Sequence, residues 1–191
     1  MQQYRGFIFD LDGTLVDSAL DFEAIRRDLG LDLGAPILES VSTWSAEDKL
    51  KAFAIIDRHE EKGAQDSVLI PGVVEFLSSL KKLKKRTAVF TRNSKKVTEL
   101  TLRKHQLDFS IVMTRDDAPA KPDPHALHHI AAQWNFAKHE MLFIGDYLYD
   151  LRAGLAAQVP TALYLNTLVD FDTQGAAFCF QSFLELEASL R

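Results

Sequence analysis

Four aspartates and one lysine are the residues of this sequence best suited to chemistry. Asp10 and Asp12 stand two residues apart in FIFDLDGTLVDS, and Asp146 and Asp150 stand four apart in IGDYLYD. Lys121 lies in the loop sequence DDAPAKPDP. Carboxylates that converge on one small site repel one another strongly unless a cation compensates them, and oxygen ligands suit a hard cation such as Mg²⁺. These residues therefore indicate a site for a divalent cation, to which the lysine adds a second positive charge.

Short apolar runs alternate with helical patterns along most of the chain. Uninterrupted apolar runs of this length indicate strands that are covered on both faces, as in a parallel sheet under helices. The runs are GFIF (6–9), TAVF (87–90), SIVM (110–113), MLFI (141–144), TALYL (161–165) and AAFCF (176–180), and the helical patterns cover 71–83, 95–105, 124–137, 149–158 and 182–190. The alternation predicts an α/β fold with a doubly wound, mostly parallel, Rossmann-like sheet.

One segment, from Ser18 to about Val68, has no convincing strand and contains two helical patterns. Ser18 and Ser45 each precede an aspartate by three residues, as in a capping box at the start of a helix. The segment therefore predicts helices over 19–29 and 46–62, joined by a loop that contains glycine and proline. We expect a small all-helical cap over the carboxyl end of the first strand.

This pattern predicts two domains. Residues 1–17 and 69–191 would form the α/β catalytic core, and residues 18–68 the helical cap.

The polar candidates all follow predicted strands, at the edge of the sheet where ligands bind in open α/β folds. Asp10 and Asp12 follow the first strand, and residues i and i+2 of an extended chain point to the same side. Thr91 follows the second strand and Asp146 the fourth. Each feature alone has an ordinary explanation, since Asp-x-Asp-Gly is usually a turn and Gly-Asp is usually a helix cap. Their coincidence at the strand ends of one sheet favours a functional site.

The bulk composition is that of a globular chain. The 191 residues are 47% hydrophobic and 26% charged, and the formal net charge of -5 argues against general nucleic-acid binding, which needs a basic face. The single Cys179 excludes an intramolecular disulfide and is typical of a reducing compartment. The first strand leaves no room for a signal peptide, and no apolar run approaches the roughly 20 residues that span a bilayer. We expect a cytoplasmic protein without nucleic-acid or membrane partners; its oligomeric state is left open.

Four motifs resemble those of the haloacid dehalogenase superfamily of hydrolases. DLDGTLVDS, which begins at Asp10, matches the pattern DxDGTLxDS in every fixed position. VFTRN resembles the second motif, AKPDP the third and IGDYLYD the fourth, and the resemblance extends from Phe7 to about Leu165. It is to the branch with a helical cap between the first and second motifs, which includes phosphoglycolate phosphatases and β-phosphoglucomutases. Two positions differ from many relatives: Arg92 separates Thr91 from an asparagine, and Tyr147 replaces a small Ser or Thr.

The resemblance implies a Mg²⁺-dependent phosphatase that acts on a small phosphorylated metabolite. Asp10 would be the nucleophile that forms an aspartyl-phosphate, and Asp12 the general acid and base. Asp10, the backbone carbonyl of Asp12 and Asp146 would hold the Mg²⁺. Asp150 is counted with these metal-site acids and would orient Lys121 or a metal-bound water.

The resemblance also implies that Thr91 and Lys121 hold the phosphoryl oxygens. Arg92 and Asn93 are further candidates for binding phosphate or substrate. Candidates for recognising the leaving group of the substrate are Arg26, Arg27, Trp44, Lys49 and Arg92. His125 and His129 have a zinc-like spacing, but the sequence offers them no third ligand, so we expect no metal there.

Two other functions remain open at this point. A phosphosugar mutase of the same fold would return the phosphoryl group to a sugar phosphate instead of releasing it to water. A non-catalytic phosphate-binding protein would keep the scaffold without turnover. The specific substrate and the pathway are not determined by the sequence.

Overall fold

The structure, a computed structural model, describes residues 1–165 and 169–190. In chain order the strands are β1 (Gly6–Phe9), β2 (Val16–Asp17), β3 (Val68–Leu69), β4 (Arg86–Phe90), β5 (Ile111–Met113), β6 (Met141–Gly145), β7 (Thr161–Tyr164) and β8 (Phe178–Phe180). The helices are α1 (Phe22–Leu29), α2 (Ile37–Ser42), α3 (Ala46–Asp66), α4 (Val73–Lys82), α5 (Lys95–Lys104), α6 (His125–Trp134), α7 (Leu148–Ala157) and α8 (Phe183–Ala188). Within the described part of the chain, no helix is both long enough and apolar enough to cross a bilayer.

Six strands form one parallel sheet in the order β5-β4-β1-β6-β7-β8. All six coincide with the predicted apolar runs to within two residues at either end, so the predicted α/β fold is confirmed. β1 lies in the middle and pairs with β4 on one side and β6 on the other. Because the chain runs outward in one direction after β1 and in the other after β6, the sheet has its topological switch point there, which is where such folds bind ligands.

Both faces of β1 are buried, which explains its unbroken apolar sequence. Phe7 and Phe9 belong to a hydrophobic cluster on one face of the sheet, and Ile8 belongs to a second cluster on the other face. Gly6 admits the ring of Trp134, since a Cβ atom at Gly6 would lie 2.5 Å from that ring. The central strand is therefore fixed by packing on both sides.

Helices α1, α2 and α3 form a helical insertion between β2 and β3. It has its own small core, in which Ile25, Val41, Ala52 and Ile56 are buried. β2 and β3 pair antiparallel where the chain enters and leaves the insertion. This strand pair and α2 were not predicted from the sequence, and α3 extends to Asp66, beyond its predicted end.

The N-caps of the insertion match the predicted pattern in one case and differ in the other. Ser45 caps α3 by accepting a hydrogen bond from the backbone N–H of Asp48, as predicted. α1 begins later than predicted, at Phe22, because Asp21 is its N-cap. The segment before it is a turn in which Asp17 accepts from the N–H of Ala19.

Replacing Phe76 by alanine is expected to lower the free energy of unfolding by about 3–5 kcal/mol. Phe76 is fully buried on α4, and its ring contacts Phe7, Phe9 and Phe183 at centroid distances of 5.9, 6.1 and 5.8 Å. Urea unfolding measures the loss. The control is Val74→Ala on the same helix, which is half-exposed and should change stability by less than about 0.5 kcal/mol. Equal unfolding midpoints for the two variants would contradict this role for Phe76.

Candidate active site

The site lies at the carboxyl ends of β1, β4 and β6, which are neighbours in the sheet. Asp10 directly follows β1, Thr91 follows β4 and Asp146 follows β6. The strand register continues into the site, because the N–H of Asp10 donates to the carbonyl of Ile144 at 2.8 Å. The structure therefore brings together side chains that are more than a hundred residues apart in the sequence, as the strand pattern predicted.

Lys121 is the buried cation of this site. Its ammonium nitrogen lies 2.5 Å from Oδ1 of Asp10 and 2.7 Å from Oδ1 of Asp150, and its side chain is only 2% exposed. The same nitrogen lies 5.4 and 5.7 Å from the ring centroids of Phe90 and Phe143. Burial alone would lower the pKa of Lys121, but Asp10 and Asp150 outweigh burial and raise it. The lysine is therefore charged and bridges two carboxylates.

The acids of the site are crowded enough to disfavour their own ionisation. Burial raises the pKa of Asp10 well above its usual value; Lys121 opposes this, and Asp150 and Asp146 raise it further. Burial, followed by the charge of Asp150, raises the pKa of Asp146 to about 7, although the hydroxyl of Thr14 donates to it at 2.8 Å. One lysine does not neutralise this set, so the site favours a further cation.

The donor set fits a hard divalent cation. One carboxylate oxygen from each of Asp10, Asp146 and Asp150 lies within 4.8 Å of the other two, so one small ion could contact more than one of them. Gly13 leaves room for this arrangement, because a Cβ atom there would lie 2.3 Å from Oδ2 of Asp146. Gly13 also has a φ of 79°, which favours glycine.

Asp150 uses both of its oxygens within the protein. Oδ1 accepts from Lys121, and Oδ2 accepts from the backbone N–H groups of Asp146 at 3.2 Å and Tyr147 at 3.0 Å. A Cβ atom on Gly145 would lie 2.3 Å from Cγ of Asp150, so this glycine admits the carboxylate. The arrangement fits the predicted orienting role toward Lys121; direct metal ligation by Asp150 stays a prediction.

Asp12 is held by side chains of the first two motifs. The amide of Asn93 donates to Oδ2 of Asp12, and the backbone N–H of Asn93 donates to the hydroxyl of Thr91 at 3.1 Å. Burial raises the pKa of Asp12, while hydrogen bonds from Ser18 and Asn93 lower it. Asn93, a predicted phosphate or substrate ligand, is thus placed against Asp12, and its contact with a substrate stays a prediction.

Arg92 connects the site to the helical insertion. Its guanidinium donates to both carboxylate oxygens of Glu39 on α2, at 2.9 and 3.1 Å, and to the carbonyl of Lys121. It also lies over the ring of Tyr149, 4.2 Å from the centroid. These contacts give Arg92, which stands between Thr91 and Asn93, a structural role. Phosphate binding by Arg92 stays a prediction.

A second connection, which sequence reasoning missed, joins the loop after β5 to α3. Arg115 donates to Oε1 of Glu60 at 2.6 Å, to Oδ1 of Asp57 at 2.5 Å and to the carbonyl of Arg92 at 3.0 Å. Burial raises the pKa of Glu60 to about 7; Arg115 lowers it, and Asp12 and Asp57 raise it. The sequence signal was present, because Phe53, Asp57 and Glu60 recur at helical spacing on one face.

The remaining candidates for substrate recognition either contact other parts of the protein or are at least partly exposed. Arg26 bonds to Glu23 and to the carbonyl of Ala35, and Trp44 packs on the core of the insertion. Arg27 is exposed and Lys49 is half-buried. On α6, His129 contacts Gln133 at 2.9 Å, and His125 is exposed. A role in substrate recognition stays a prediction for the four insertion residues.

Comparison with known proteins gives consistent matches. A family model described as haloacid dehalogenase-like hydrolase matches residues 7–164. A haloacid dehalogenase-like hydrolase domain-containing protein of Arabidopsis thaliana is 32% identical over 76% of this chain, which spans 64% of that relative's length. A phosphoglycolate phosphatase of Colwellia psychrerythraea is 30% identical over 100% of this chain and 99% of its own length. The crystal structure of a hydrolase from Pseudomonas syringae has the same fold, with a TM-score of 0.79 at 23% identity over 97% of each chain.

Glu60→Gln is expected to stabilise the protein above pH 7 and to have little effect near pH 5. Because folding raises the pKa of Glu60 from 4.5 to about 7, its contribution to stability is fully present below pH 4.5 and is lost as the pH rises through about 7. Glutamine imitates the protonated form at every pH. Urea unfolding of both proteins across this range measures the difference, with Asp57→Asn as a control on the same arginine. A difference that does not depend on pH would contradict the assignment.

Proposed function

Because the chain belongs to the haloacid dehalogenase-like hydrolases, we propose that it is a Mg²⁺-dependent phosphatase that hydrolyses a small phosphorylated metabolite through an aspartyl-phosphate on Asp10. One observation carries the proposal: Asp10 contacts a buried lysine while its oxygens lie within 4.8 Å of those of Asp146 and Asp150. A carboxylate beside a cation and a metal-binding acid cluster suits attack on a phosphate ester. The relatives named phosphoglycolate phosphatase support the same reaction class.

Asp10 acts as the nucleophile. One of its oxygens forms a bond to phosphorus as the bond from phosphorus to the leaving alcohol breaks, and water later releases the phosphate. Lys121, 2.5 Å away, favours the ionised form of Asp10 that can attack. Lys121 and Thr91 also bind the phosphoryl oxygens, which gain charge as the reaction proceeds.

Asp10, Asp146 and the backbone carbonyl of Asp12 would hold Mg²⁺, which when bound supplies the charge that lets a carboxylate approach a phosphate. Asp150 keeps Lys121 in place through its 2.7 Å contact. Its second oxygen fixes the turn that carries Asp146.

Asp12 moves the proton. It donates a proton to the leaving alcohol and later accepts one from the water that attacks the aspartyl-phosphate. Burial, which raises its pKa, helps it to hold the first proton. The amide of Asn93 keeps its carboxyl group in one orientation.

The helical insertion acts as a cap over this site. We divide the chain into a catalytic core of residues 1–17 and 69–191 and a cap of residues 18–68. The bonds from Arg92 to Glu39 and from Arg115 to the acids of α3 hold the cap against the core. Such a cap excludes water from the reacting groups.

Asp10→Asn is expected to abolish Mg²⁺-dependent phosphate release and to leave the fold intact, because the amide keeps the volume but loses the nucleophile. Asp12→Asn is expected to lower kcat by about 10²–10⁴-fold. A colorimetric assay for inorganic phosphate and circular dichroism measure the two properties. The matched control is Asp108→Asn, at an exposed position before β5, which should keep full activity. Retained turnover in purified Asp10→Asn would show that the nucleophile is a different residue.

EDTA is expected to stop phosphate release, and added Mg²⁺ to restore it. The test is a panel of sugar phosphates, nucleotides and phosphoglycolate, with inorganic phosphate and isomeric products measured in parallel. A phosphosugar mutase would give isomers without phosphate, and a non-catalytic phosphate-binding protein would give neither product. Equal rates on the whole panel would contradict a phosphatase dedicated to one metabolite.

A further inference from the structure

Glu60 is a buried acid with one unused oxygen. Its side chain is 8% exposed, and Oε1 accepts from Arg115, whereas Oε2 is buried without a hydrogen-bond partner among residues 1–165 and 169–190. A carboxylate oxygen that is buried and unpaired costs stability. An acid kept in this state is suited to a donor that arrives with a ligand.

Arg115 joins Glu60 to the loop that carries Thr91 and Asn93. Arg115 donates through the same nitrogen to Glu60 and to the carbonyl of Arg92, the residue between Thr91 and Asn93. Asn93 in turn contacts Asp12, and Asp12 is near enough to Glu60 for its charge to act on that carboxyl group. The leaving alcohol must lie beside Asp12, because Asp12 protonates it. It therefore lies near the Thr91–Asn93 segment, to which Arg115 joins Glu60.

The ion pair with Arg115 does not by itself explain why an acid is buried at position 60. The guanidinium of Arg115 already contacts Asp57 at 2.5 Å, the carbonyl of Arg92 at 3.0 Å and the ring of Phe53 at 5.6 Å. One positive charge thus faces two carboxylates on α3. The surplus negative charge attracts a hydrogen-bond donor or a cation and repels an anion.

We propose that Glu60 determines specificity by accepting a hydrogen bond from a hydroxyl or ammonium group on the leaving alcohol of the substrate. The proposal rests on the proposed phosphatase function. An alcohol that carries a carboxylate meets a like charge at this position and is rejected. The preferred substrates are therefore phosphate esters of polyols or amino alcohols. Phosphoglycolate, whose alcohol carries a carboxylate, is disfavoured.

Three two-carbon esters test the proposal, because they differ only in the terminal group. Ethanolamine phosphate carries an ammonium group, 2-hydroxyethyl phosphate a hydroxyl and phosphoglycolate a carboxylate. At pH 8, kcat/KM for the wild type should fall in that order. Glu60→Gln should lower the preference for ethanolamine phosphate over phosphoglycolate by about tenfold or more. An unchanged ratio would overturn the proposal.

Asp57→Asn is the matched control, because Asp57 contacts the same guanidinium from the same helix face. It removes one unit of negative charge from the same guanidinium but no acceptor for the substrate, so it should shift the ratio between the esters by less than Glu60→Gln does. If Glu60 has only a structural role, Glu60→Gln should lower kcat/KM for all three esters by the same factor, and that result would also overturn the proposal. If Glu60→Gln does not fold, Glu60→Asp serves, since it keeps the charge but withdraws the carboxylate.

Equilibrium binding separates this inference from the proposed function. Calorimetry with Mg²⁺ compares Asp10→Asn with Asp10→Asn/Glu60→Gln, neither of which should turn over the esters. A ratio of Kd values that changes with Glu60 supports the inference even if the wild type releases no phosphate, in which case the phosphatase proposal fails alone. A constant ratio together with phosphate release overturns only the inference. No binding of the three esters, together with no phosphate release by the wild type from any ester of the panel, would overturn both.

Discussion

The burial of one ammonium group sets the arrangement of the whole site. Lys121 lies between Asp10 and Asp150 and against the rings of Phe90 and Phe143, with almost no access to solvent. A charge in such a place is tolerated only when it is paired, and an acid beside it is tolerated for the same reason. Each partner is therefore required by the others. The loop after β5 brings Lys121 to the ends of β1 and β6, where its ammonium group contacts both carboxylates.

The order of the strands makes this meeting possible. β1 is the central strand, and its neighbours β4 and β6 end beside it, so residues from three distant stretches share one edge. Packing on both faces of β1 fixes the position of Asp10 at the end of this strand. The acids that follow are close enough to raise one another's pKa, which is unfavourable for the folded protein without a cation. The site thus concentrates negative charge, which a bound divalent cation would neutralise.

The contact between the helical insertion and the core includes directional ion pairs. The insertion contributes acids, Glu39, Asp57 and Glu60, and the core contributes Arg92 and Arg115. Planar guanidinium groups bind carboxylates with defined geometry, so these contacts orient the insertion against the core. Both arginines also bond to carbonyls in loops that carry site residues, which couples the position of the insertion to the reacting groups.

The sequence alone determined the sheet and the meeting of its acids at one edge. Uninterrupted apolar runs can be stable only when covered on both faces, and strand ends of a parallel sheet share one edge, so the meeting of Asp10 with Asp146 followed from pattern. The tertiary structure decided the rest. α2 is six residues long without a side-chain N-cap bond, too short for a periodic signal, and β2 and β3 have two residues each. Glu60 occupies an ordinary helical position in the sequence. Its significance depends on Arg115, 55 residues away, and such a pairing exists only once the chain has folded.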